Sequence, residues 1–134
     1  MTYSCRNVGV GPLEPVGDRE GHSISVTAYS CSVDSGPLAG GVVTGSNVWE
    51  WDAPDGVLRS SIDVVRKPGA IAVYQESDAK TTAIITDGKV TGRTTRGGGT
   101  WVVASGSAAS LAGKSTTWTA KHTGAGQFTI EEKW

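Results

Sequence analysis

His22-Ser23-Ile24-Ser25-Val26-Thr27-Ala28-Tyr29 alternates strictly, with His22, Ile24, Val26 and Ala28 on one face and Ser23, Ser25, Thr27 and Tyr29 on the other. Period two over eight residues is the mark of a strand with unlike faces. The same pattern recurs outward from this segment. A second strand spans about 41–52 and carries Trp49 and Trp51 on one face. Ala53-Pro54-Asp55-Gly56 turns it into a third, about 57–66. Lys67-Pro68-Gly69 leads to a fourth, Ala70 to Glu76. Ser77-Asp78 reads as a turn before a fifth strand, Thr81 to Thr86. Asp87-Gly88 is a two-residue hairpin signal. Lys89 to Thr95 and Thr100 to Ala104 follow, split by Arg96-Gly97-Gly98-Gly99. Ser105 to Gly113 reads as a loop or one helical turn. Ser115 to Lys121 and Gln127 to Trp134 close the chain around Gly124-Ala125-Gly126. Residues 1–20 show no period and read as an N-terminal arm; 21–134 form a single domain.

Eight to nine short strands at regular spacing specify an all-β fold, an eight-stranded antiparallel barrel, with a β-sandwich as the alternative. No segment has the length and period of a helix, which excludes a parallel α/β fold. Composition agrees. Among 134 residues there are 15 Val and 15 Thr against 4 Leu and 1 Met, and 19 Gly to serve the turns. Amphipathic helices draw on the reverse set.

Charge removes several partners. Twelve Lys and Arg balance 13 Asp and Glu, and the basic residues are scattered, with Arg66-Lys67 the one adjacent pair. Nucleic-acid binding needs a concentrated positive stripe, so no nucleic-acid partner is expected. No apolar run reaches the roughly 18 residues that span a bilayer, so no membrane partner is expected either. No charged-then-apolar leader precedes Thr2, so the chain carries no secretion signal of its own. Cys5 and Cys31 are compatible with one disulfide that ties the arm to the barrel wall, or with two free thiols of a cytoplasmic protein. The wealth of Ser, Thr and Gly resembles an exported bacterial domain and favours the bridge in a secreted or periplasmic setting. There is no CxxC, and His22 and His122 stand apart from both cysteines, so no metal and no cofactor is expected.

Two glycine motifs are discarded on physical grounds. Ala108 to Ser115 resembles a relaxed phosphate loop, yet Ser115-Thr116-Thr117-Trp118-Thr119 continues as a strand where a helix N-terminus would have to face the anion. Gly97-Gly98-Gly99 is likewise followed by strand, and reads as a place where backbone approaches backbone.

Gly99-Thr100-Trp101-Val102-Val103-Ala104-Ser105-Gly106 carries more. Gly-x-aromatic-x-x-Ala-x-Gly after a Gly-rich stretch in an all-β chain resembles the allene oxide cyclase and dirigent barrels. The resemblance covers about ten residues, and the Asp87-Gly88 hairpin and Leu111-Ala112-Gly113 fit the same layout. It implies a small barrel with a ligand-sized apolar cavity, cyclisation or control of a reactive intermediate, and homo-oligomers. No catalytic residue of those families aligns with this chain.

The residues themselves offer one constellation. Tyr74 and Glu76 share a face of the fourth strand; Arg59, Ser61 and Asp63 share a face of the third. Either the latter set is solvated, or it lines the cavity and Arg59 pairs with Asp63 or Glu76, because an unpaired buried charge is costly. Asp52/Asp55 and Glu131/Glu132 read as surface carboxylates. Glu76 or His22 is the proton-transfer candidate, with Tyr74 to orient a ligand and Trp49, Trp51 and Trp101 as aromatic walls. The competing picture has Glu76 as a solvated strand-end residue and His22 as a rim residue. The leading function is an interior site for an apolar or aromatic small molecule, with cofactor-independent cyclase or isomerase chemistry by general acid–base catalysis. The alternatives are a carbohydrate-binding module with exposed Trp and a structural, oligomeric β-protein.

Overall fold

The computed structural model describes all 134 residues. Nine strands follow one another: β1 (Thr2–Val10), β2 (Glu14–Pro15), β3 (His22–Ser35), β4 (Val42–Asp52), β5 (Asp55–Lys67), β6 (Ala70–Thr86), β7 (Lys89–Gly106), β8 (Ser115–Gly124) and β9 (Gln127–Lys133). A single 3-10 turn covers Ala109–Leu111. Each strand from β3 to β9 pairs antiparallel with the next, and β1 lies between β9 and β3. Eight strands thus close an antiparallel barrel. The two-residue β2 extends the line of β1 along β3, after the break at Gly11-Pro12-Leu13.

Residues 2–10, expected as part of a loose arm, are therefore a wall strand. Their period is hidden because the strand carries Arg6, Asn7 and Gly9 among its buried Tyr3 and Cys5. Cys5 and Cys31 face each other across the β1–β3 pair, with Sγ–Sγ 2.06 Å. The bridge spans 26 residues of chain and ties the seam where the barrel closes.

Two breaks read from the sequence are absent. Ser77-Asp78 is a register irregularity inside β6, not a turn, and β7 runs unbroken through Gly97-Gly98-Gly99. The glycines make room for rings. A Cβ at Gly99 would lie 2.7 Å from the Tyr74 ring, and one at Gly97 would lie 2.6 Å from Trp118. Asp87-Gly88 does form the β6–β7 turn, with φ of 50° and 74°.

The barrel has one closed and one open end. At the closed end, Leu38 from the β3–β4 loop and Leu111 from the β7–β8 loop are buried with Val65, Ala72 and Trp101. At the other end β1 runs on past the start of β9 after Arg6, and the β6–β7 hairpin projects beyond its neighbours. This end stays open.

Closing a 26-residue loop contributes about 3 kcal/mol in the chain-entropy picture. Cys5→Ala/Cys31→Ala is accordingly expected to lower the melting temperature by about 10 °C. Intact mass of the oxidised wild type should fall two hydrogens below the reduced form. Alkylation of both cysteines in native, unreduced protein would refute the bridge.

Candidate functional site

The phase of β3 decides what lines the barrel. Tyr29, Cys31 and Val33 point inward and are buried, so the alternating series places Ser23, Ser25 and Thr27 inside too. His22, Ile24, Val26 and Ala28 form the outer face, and Val26 is 48 % exposed. The face that looks apolar in the sequence is thus the outer one.

His22 is accordingly not at the cavity. Its Nδ1 meets Asp18 at 2.5 Å and its Nε2 meets Glu50 at 2.7 Å, on the outer wall. The Asp18 contact, then the Glu50 contact, raises its pKa above the ordinary imidazole value. Arg59 joins the same outer cluster. It is separated from Asp63 by a bulge in the β4–β5 pairing, where Val48 faces Ser60 and Trp49 faces Leu58. The extra residue turns Arg59 outward to Glu50 at 2.5 Å while Ser61 and Asp63 face in. Asp63, 9 % exposed, is not solvated and does not pair with Arg59.

Inside, the polar groups form two tiers. On the floor, Glu132 is 6 % exposed, not a surface carboxylate. It accepts from Trp101 Nε1 at 3.0 Å, from Thr116 Oγ1 at 2.6 Å and from the Tyr3 hydroxyl. Tyr74 packs against Trp101 with ring centres 5.0 Å apart and planes tilted by 53°, and shares a hydrogen bond of 2.9 Å with Thr116. Trp101, 1 % exposed, belongs to the floor and lines the deep space rather than the upper cavity. Glu132 stands in the series Phe128, Ile130, Glu132; that alternation was the signal for an inward carboxylate.

In the middle, Asp63 accepts from the Tyr29 hydroxyl at 2.5 Å. Tyr29, Gly45 and Asp63 lie in one cross-strand row, and a Cβ at Gly45 would run into both the Tyr29 ring and Asp63 Oδ1. The glycine is what lets the hydroxyl reach across β4. Burial pushes the Asp63 carboxyl up to about 7. Above it sits Glu76, pushed up to about 8 by burial first and by the Asp63 charge second. Desolvation disfavours the carboxylate in both, and neither has a cation to offset it.

Glu76, Trp118 and Ile130 line both a small deep space of about 30 Å³ and a larger cavity of about 290 Å³ that opens at the barrel mouth. The first suits about one water molecule; the second suits a small organic molecule. The upper cavity is walled by Trp49, Trp51, Tyr29 and Phe128, and rimmed by Val10, Leu13, Arg93 and His122. Trp51 Nε1 donates to Ser25 at 2.8 Å, which fixes its ring, and Trp49 lies 5.9 Å away. Burial, then the Arg93 charge, lowers the His122 pKa, which favours the neutral imidazole. Asn47 Oδ1, Ser61 Oγ and Trp118 Nε1 are buried without hydrogen-bond partners. No cluster of three metal-ligating side chains exists in the chain.

The structure therefore brings together Glu76, Tyr74, Asp63, Trp49, Trp51 and Trp101 on one inner surface, and leaves out His22 and Arg59. Sequence reasoning missed Tyr29, Asn47 and Phe128, which come from strands distant in the chain. A carboxyl that titrates near neutrality beside an enclosed space can give or take a proton at physiological pH. Compared with protein-family models, curated proteins and solved structures, the chain gives no significant match to any.

Raised carboxyl pKa values carry a stability consequence. The folded state keeps the Glu76 and Asp63 protons to about pH 8 and 7, whereas the unfolded chain releases them near pH 4. Stability is fullest below that lower range, falls as pH rises from there, and the loss is complete once pH has passed the folded values. Glu76→Gln removes its share of that loss. It is expected to match wild type near pH 4 and to melt about 5 °C or more higher at pH 9. A difference in melting temperature that stays constant from pH 5 to 9 would contradict the burial of this carboxyl.

Proposed function

We propose that the barrel binds an apolar or aromatic small molecule in its open-end cavity and passes a proton to or from it through Glu76. The observation that carries this reading is the position of Glu76, half-buried between the aromatic cavity and the deeper Asp63. Shape, dehydration and one poised carboxyl are enough for a cofactor-independent cyclisation, isomerisation or addition. Tyr74, whose hydroxyl is engaged by Thr116, supports the floor under Glu76 rather than touching the ligand.

Kinship with the allene oxide cyclase and dirigent barrels belongs to the same proposal. The closed eight-stranded barrel supports it at the level of fold. The motif residues have packing roles here: Gly99 clears the Tyr74 ring, and Trp101 caps the floor. The disulfide favours an oxidising compartment, hence an exported protein. Exposed Ile62, Ile71 and Val103 on the outer wall favour self-association. A surface carbohydrate platform has less support, because Trp49 and Trp51 face the interior.

Tryptophan emission reads the cavity directly. Neutral aromatic ligands are expected to change it saturably, and Trp51→Ala is expected to weaken them about tenfold, one lost aromatic contact. For any substrate found, Glu76→Gln is expected to cost about a hundredfold to ten-thousandfold in turnover. His22→Ala, on the outer wall, should leave both unchanged. Saturable quenching by oligosaccharides alone, or wild-type turnover in Glu76→Gln, would reject the reading.

A further inference from the structure

The charges of the barrel interior are one-sided. Three carboxyl side chains from three strands, Asp63, Glu76 and Glu132, line the deep space, and no lysine or arginine side chain joins them. Arg93 is the one Lys or Arg along the upper cavity, and it is an exposed rim residue. Its guanidinium already lies 5.5 Å from the centre of the Trp51 ring. The aromatic wall thus holds a cation, though one that belongs to the protein and sits at the mouth.

Orphaned acceptors lie on the same surface. Asn47 and Ser61 are directly opposite each other on β4 and β5, facing inward. Ser61 lies beside the Glu76 carboxyl but makes no hydrogen bond of ordinary geometry, and Asn47 Oδ1 is equally unpartnered. Ser61 is 4 % exposed, so water does not serve it freely. Buried polar atoms without partners cost stability unless something fills them. A carboxyl and an amide oxygen beside an aromatic box, with a hydroxyl behind the carboxyl, match the donors and charge of an ammonium group.

We infer that the ligand of this cavity is an organic cation, an ammonium group on an apolar or aromatic body, with its N–H donors toward Glu76 and Asn47 and its body against Trp49, Trp51 and Phe128. This rests on the reading of the cavity as a small-molecule site and adds the ligand's charge. Binding must ionise Glu76, so the complex releases a proton wherever the free site holds one. The groups facing Glu76 are Asp63 on β5, Tyr74 on β6, Tyr29 on β3, Glu132 on β9, His122 on β8 and Arg93 on β7. None but Arg93 carries positive charge at pH 7, and Arg93 competes with the ligand for the Trp51 face.

Calorimetric titration with 2-phenylethylamine, 2-phenylethanol and 3-phenylpropionate tests this with one body and three charges. The amine is expected to bind at least tenfold tighter than the alcohol at pH 8, one ionic hydrogen bond's worth. Its affinity should rise between pH 6 and 8, where the alkylammonium itself keeps its charge. Glu76→Gln should bring the amine down to the alcohol, and Arg93→Ala should tighten the amine. Equal binding of amine and alcohol overturns the cationic ligand and leaves the cavity reading standing. Tightest binding by 3-phenylpropionate, weakened by Arg93→Ala, overturns it in favour of an organic acid. Binding of none of the three overturns both.

Discussion

Closure of β1 onto β3 is the constraint on which the rest depends. Without it, β1 and β3 would each present a free edge, and the interior would open along its whole height. The seam is short: β1 meets β9 only from Thr2 to Arg6. The disulfide sits in the middle of that stretch, on the inner face. Past Arg6 the first strand stays on β3 but has outrun β9, which begins at Gln127; the Asn7 N–H meets Gly126 O in the turn before it. The same strand therefore seals the lower barrel on both sides and runs on along β3 alone at the mouth. The cavity opens where β9 gives out.

The interior then divides by how well its polar groups are served. Glu132 has three donors from β1, β7 and β8, which makes it part of the floor. Asp63 has one donor, Tyr29, made possible by the missing side chain at Gly45. Ser61 and Asn47 have none. Satisfaction falls from floor to mouth, and the unmet demand lies where a ligand could enter. A fully served network rigidifies a core; a half-served one costs free energy unless it has another purpose.

The period-two pattern made the barrel legible in the sequence. It named the two faces of each strand but not which one turned inward. In β3 the decision lies further along, where Tyr29, Cys31 and Val33 continue the series begun by Ser23, Ser25 and Thr27. The mouth half of that inner face is polar because it borders a cavity, so its composition mimics a wet surface. In β5 the bulge at Arg59 breaks the phase, and no local signal announces a bulge. Arg59 and Asp63 look like neighbours on one face and end on opposite sides of the wall. Glu76 was legible as a candidate because it follows Ala72 and Tyr74. Its Ser61 neighbour and the Asn47 row depend on cross-strand register, which one strand read alone does not contain.

The bulge also sorts the charges. Outside, Arg59, Glu50, His22, Asp18 and Arg19 pair with one another along the wall. Had Arg59 kept phase with Asp63, it would have reached the interior and neutralised one of its carboxyls. By expelling the cation, the extra residue leaves Asp63 and Glu76 without a counter-charge in a desolvated space, and their pKa values rise for that reason. Perturbed carboxyls without a partner are the exception in protein interiors, where buried charges are normally paired. Here the partner is excluded by one backbone irregularity, while Arg59 and Arg19 pair with carboxylates on the outside of the wall. The fold keeps its cations out of the barrel and its carboxyls in, which is the arrangement a site needs if the missing charge is to arrive with the ligand.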